Sequence, residues 1–195
     1  MGMDVHGLNP KQNKKLSDFP VMEKYDAMDF SDKWKILEKD EKTREQYWEE
    51  RDKWESVNPG VYFRNNVWWW RPLWNYCYNI APDLVGDIYD SGHNNSGAGL
   101  NAEKAKQLGE MLMETIADGS ALQYQVDYMQ MIEDLPLEIC TYCNGNNRGY
   151  KKMEDCKSCG GTGEVKSFDT HYPFDVDNVE EFAKFCIESG GFEIC

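Results

Sequence analysis

Four cysteines at fixed spacing limit what this chain can fold into. Cys140, Cys143, Cys156 and Cys159 form a C-x2-C-x12-C-x2-C pattern, in which each close pair sits on one tight turn and aims two sulfurs the same way. Two such turns face to face place four sulfurs at the corners of a tetrahedron, the arrangement that one zinc ion takes in structural sites. Gly145, Gly160, Gly161 and Gly163 follow the pairs and permit the sharp backbone turns these knuckles need. The expectation is one structural zinc on four thiolates, closed to water because no coordination position is left over. Two redox dithiols, or an iron centre, would use the same sulfurs.

Composition sets the surroundings of that site. Seven cysteines is an odd number, and no segment near Met1 joins a basic start, a long apolar stretch and a small-residue cleavage site, so reduced thiols in a cytoplasm are expected. Nothing approaches ~18 consecutive apolar residues, and a membrane partner is not expected. A length of 195 residues fits one ordinary domain with a small appended module, and 13% aromatic content with seven tryptophans implies a substantial core. The net charge of -14, from 35 acidic and 21 basic residues, argues against direct nucleic-acid binding, which draws on Lys and Arg. The acidity serves solubility, or it attracts a basic partner.

Periodicity supplies most of the elements. Gly2 to Gly7 reads as a short strand, residues 8–30 as a loop broken by Pro10 and Pro20, and residues 31–56 as one long charged helix capped by Ser31, with Trp34, Leu37, Trp48 and Trp54 on its apolar stripe. Pro72 suits the first turn of a helix starting at Arg71, on which Trp70, Leu73, Trp74 and Cys77 share a face. Gly92 to Gly99 reads as a turn-rich loop. Asn101 caps a helix carrying Ala105, Leu108, Leu112 and Ile116, and Gly119 closes it. Tyr124, Tyr128 and Ile132 mark another helix, and an Asp177-to-Glu180 capping signal opens a last one with Val179, Phe182 and Cys186 inward. The tail from Phe192 to Cys195 should tuck against the domain.

The aromatic block around Trp68, Trp69 and Trp70 is either core or the wall of a pocket. As a pocket, Asn65, Trp69 and Arg71, with His93 and Asn95 on the glycine-rich loop, could stack a planar ring and hold an anionic group, so a nucleotide-like small molecule is one candidate ligand. An enzyme acting from the His93 loop would need a second acid or a nucleophile beside it. The sequence holds no nucleophile elbow, phosphate loop or His-Glu-x-x-His motif. No catalytic residue is assigned.

Cys156-Lys-Ser-Cys159-Gly-Gly-Thr-Gly163 resembles the C-x-x-C-x-G-x-G repeat of the DnaJ cysteine-rich region, and the first knuckle matches it in part, with Asn147 at the last position. Two repeats occur here, and no His-Pro-Asp. That likeness implies a knuckle fold. The wider chain resembles a family of uncharacterised proteins found mainly in bacteriophages and in bacterial genomes carrying phage genes, through Gly2-Met3-Asp4-Val5, Tyr62 to Trp74, Gly92 to Leu100 and the ending Gly190 to Cys195. The charged helix looks like an insertion relative to shorter members. The resemblance implies a phage-encoded protein in the cytoplasm of an infected bacterium.

These readings give an α+β fold, a mostly helical domain with a small β-hairpin-like zinc-knuckle insert. Its parts are an aromatic-rich helical domain over residues 1–135, the knuckle over 136–170, and a C-terminal helix over 171–195 that packs back. The function expected is a non-catalytic, zinc-containing accessory protein that binds a host component, a host protein, and interferes with host defence. A binder of a nucleotide-like molecule is the alternative.

Overall fold

The computed structural model describes residues 2–145 and 153–195. Strand β1 (Gly2–Gly7) alternates as expected, burying Met3 and Val5. Residues 8–61 then form a helical unit before the chain returns to pair with β1. In that unit α1 (Pro20–Asp26), α2 (Phe30–Leu37) and α3 (Glu41–Val57) enclose their own small core of Met22, Tyr25, Leu37 and Tyr47.

Two expectations fail here for physical reasons. Pro20 starts a helix because at the first helical position its missing N–H costs nothing. The N-terminus of α1 is also capped from α3, where the Glu50 carboxylate accepts from Val21 N (2.8 Å) and Met22 N (3.0 Å). The single charged helix is two helices. Asp29, not Ser31, caps the first, and Asp40 caps the second in an extended conformation that interrupts the spiral. The restart shifts the phase of the stripe, so Tyr47 is fully buried and Trp48 is left partly exposed.

The unit is closed at its base by Asn58, which is fully buried. Its Nδ2 donates to the carbonyls of Lys14 (3.1 Å) and Trp54 (3.0 Å), while its Oδ1 accepts from Asn13 N (2.7 Å) and Lys14 N (3.0 Å). One side chain thus joins the entering and leaving strands of chain. Strand β2 (Tyr62–Asn66) then pairs antiparallel with β1, from Gly2 opposite Asn66 to His6 opposite Tyr62.

Helix α4 (Val67–Ile80) starts four residues before the expected Arg71, because the Asn66 side chain accepts from Trp68 N (3.0 Å) and Trp69 N (3.2 Å). Pro72 lies inside the helix. Trp70, Leu73, Trp74 and Cys77 are nevertheless buried together, as their spacing predicts. Then follow the short α5 (Pro82–Val85), strand β3 (Ala98–Asn101), which takes the end of the expected loop, α6 (Ala102–Ala117) with Asn101 as its cap, and α7 (Ser120–Glu133).

Beyond α7 the chain builds the cysteine-knuckle module on a two-stranded ladder of β4 (Glu138–Ile139) and β5 (Glu164–Val165). It returns through a 3-10 turn at Phe168–His171 to α8 (Val176–Glu188), capped by Asp175, and ends in β6 (Gly191–Ile194). The tucked tail is a strand, and an inner one: the sheet order is β2-β1-β6-β3. Helices α4, α6 and α8 pack on one face of the sheet. Gly109 lets α6 approach α8, since a Cβ there would lie 2.7 Å from the Ala183 carbonyl oxygen. Phe63, Trp70, Phe182, Phe185 and Phe192 fill the centre. The fold is a mostly helical α+β domain, as expected.

Replacing Asn58 by Ala should cost about 3 kcal/mol in denaturant unfolding, because buried backbone groups lose their partners. Amide exchange should accelerate first near residues 13–14. A cost under about 0.5 kcal/mol, the usual range for surface changes, would show that the helical unit is held by other contacts.

Candidate metal centre and adjoining cleft

The β4–β5 ladder leads straight into the knuckles, with Cys140 N donating to the Gly163 carbonyl (2.9 Å). Each knuckle turns through left-handed backbone, at Asn144 (φ 52°) and Gly145 (φ 64°) in the first and at Gly160 (φ 61°) and Gly161 (φ 90°) in the second. Asn is the side chain that tolerates this region best after glycine. Asn147 lies outside the described residues.

The four sulfurs lie within 4.8 Å of one another. Cys140 and Cys156 are 3.7 Å apart at Sγ, and so are Cys143 and Cys159. A tetrahedral ion with metal–sulfur bonds of ~2.3 Å requires sulfur separations of about 3.8 Å, whereas a disulfide needs about 2.05 Å. The set therefore fits one metal ion.

Its electrostatics favour a cation. Burial resists ionisation of Cys159, but the N–H groups of Gly163 (3.3 Å) and Gly161 outweigh it and bring the thiol down to about 6. The Cys143 backbone N–H likewise lowers Cys140. Burial pushes Cys143 up to about 12, so four thiolates coexist here only around a positive ion. Among the described residues of the module, the apolar cluster around the cysteines adds Val165.

The aromatic block divides. Trp70 and Trp74 are fully buried and stacked, with centroids 5.4 Å apart and planes at 12°. Their indole N–H groups donate to the carbonyls of Gly92 (2.8 Å) and Tyr89 (3.0 Å). Gly92 is required there, since a Cβ would fall 2.5 Å from the Trp74 ring. The His93 loop is thus the cover of a tryptophan pair.

That placement spreads the five expected ligand residues. Asn65 gives its amide to Asn178 (2.7 Å), and Asn95 donates to the Gly2 carbonyl (3.0 Å). Trp69 is half-buried at the start of α4. His93 packs edge-on against Tyr89 at 5.0 Å, with Nδ1 buried and unpartnered. Burial, and secondarily the charge of Arg71, lower it below its ordinary 6.5. Arg71 lines a cleft of about 480 Å³ in which the other four take no part.

The cleft lies between α4, α7 and the segment that leaves the metal module. Pro72 and Ile132 are buried beneath it, Tyr128, Phe168 and Tyr172 are its rings, and Arg71, Asn75 and Asp169 its polar groups. Arg71 Nη1 donates to Tyr172 Oη (2.7 Å), with the guanidinium 5.5 Å from that ring. Trp68 packs on Phe168 (5.1 Å) and Tyr172 (5.0 Å). Tyr128 donates to the Tyr172 carbonyl (2.9 Å), and burial pushes its hydroxyl up to about 12, keeping it a donor. Tyr128, Phe168 and Tyr172 escape a reading of sequence as site residues because their partners lie far along the chain.

A histidine whose folded value is depressed lends stability that is complete above its unfolded value and fades as pH falls through the folded one. Stability should therefore decline as pH drops below 6.5, and His93→Gln should flatten that part of the urea-midpoint profile. An unchanged slope would remove His93 as the source.

Comparison with protein-family models, curated proteins and solved structures gives no match for this chain.

Proposed function

We propose that the ion is zinc and that the protein is a zinc-stabilised, non-catalytic accessory protein that acts by binding a host component. The sulfur arrangement carries the first part of this reading: four soft thiolate donors at tetrahedral spacing suit zinc and leave no position for a reacting water. Iron suits the same donors, so metal content separates the two.

The second part rests on surface. Leu122 and Val126 on the outer face of α7, and Leu137, Ile139 and Tyr142 on the metal module, are each more than half exposed. These exposed apolar side chains, all within residues 122–142, support reading this stretch as the contact surface for a partner. A charge of -14 favours a basic one. The resemblance to phage proteins supports a host protein as that partner, with interference in host defence as the outcome.

About one zinc per chain is expected on elemental analysis. Cys156→Ala should abolish it and disorder the module while most helical circular dichroism remains. Iron in place of zinc, or metal-free folded protein with disulfides, would overturn the assignment. For the partner, affinity capture from a bacterial lysate should recover a protein that the Leu122→Glu/Ile139→Glu variant no longer holds. Equal recovery by both would argue against this surface.

A further inference from the structure

We propose that the cleft lined by Arg71 binds a small molecule made of a flat aromatic ring bearing one anionic group. The argument starts from charge. Among the described residues Arg44, Arg51 and Arg64 each sit beside a carboxylate, of Glu41, Glu55 and Asp4. Arg71, in the same very acidic chain, is held instead by the hydroxyl and ring of Tyr172. One of its five N–H groups is used there, and the planar fork keeps donors for a carboxylate or phosphate.

The surroundings specify the rest of the ligand. Phe168, half-exposed at 57%, offers a ring face beside Tyr172, and Met131 and Leu135 extend the apolar wall. Asn75 accepts from Tyr89 Oη (2.7 Å), which leaves its NH₂ as a second donor near the cation. Asp169 lines the same cleft without pairing with Arg71, and it disfavours a polyphosphate while accepting from a ring amino group. A volume of about 480 Å³ suits a nucleoside monophosphate or an aromatic carboxylate. Both present a flat aromatic ring and one anionic group.

Isothermal titration of the intact chain as purified tests this with two arms: the four nucleoside monophosphates, and benzoate with indole-3-carboxylate. At least one probe should bind at one site per chain, with its uncharged counterpart or the corresponding triphosphate at least about tenfold weaker. Arg71→Gln should weaken it about tenfold or more. Leu135→Trp, which fills the cleft and leaves the arginine–tyrosine contact in place, should block it. The Trp68 indole signal should shift in nuclear magnetic resonance spectra, while those of Trp70 and Trp74 hold still. The proposal falls if no probe binds, if Leu135→Trp binds as tightly as the parent, or if Trp68 is unmoved by a bound probe.

Discussion

The sheet depends on the seating of β6 between β1 and β3. That strand forms two of the sheet's three ladders, with Val5 opposite Ile194 on one side and Leu100 opposite Phe192 on the other. It also delivers Phe192 and Ile194 to the core, where Phe192 meets Phe182 and Phe185. Without it β1 and β2 are an isolated two-stranded ladder and β3 has no partner, and two strands alone are marginal in water. Pairing the far end of the chain with its beginning is a non-local contact, of the kind that slows folding.

How much of this was legible follows from the range of each signal. The face of Trp70, Leu73, Trp74 and Cys77, the Asn101 cap and the cysteine spacing are local, and the structure keeps them all. The break at Asp40 is local too, but a dense mixture of charges hides it, because Glu and Lys fit helix interiors and helix ends alike. Pro72 points to a helix start at Arg71, whereas the Asn66 side chain, by satisfying free N–H groups, sets it at Val67. Sheet order and cleft were illegible for a different reason. Arg71 and Tyr172 are 101 residues apart, and neither sits in a motif that anticipates the other.

Metal centre and cleft are mechanically related. The chain leaves β5 and within a few residues supplies Phe168, Asp169 and Tyr172, so the ladder set by the knuckles fixes where that wall begins. Trp68, Arg71 and Tyr128 fix where it ends, through ring packing and two hydrogen bonds. A wall held at both ends keeps its shape with no ligand present, and a preformed site spares the ordering cost that weakens flexible ones. A metal ion held by the four cysteines would then act on the cleft at a distance, by geometry and not by chemistry.

The antiparallel pairing of β1 with β6 also decides how the molecule answers force. Asp4 and Cys195 sit side by side, joined by the Cys195 N–H and the Asp4 carbonyl (2.8 Å), so both ends of the described chain emerge from the same end of one ladder. Tension applied to the two ends peels that ladder open one hydrogen bond after another, and never loads the row in shear. A pull exerted from the Cys195 side would thus take β6 first, and its departure strips Phe182 and Phe185 of the Phe192 ring that packs on both.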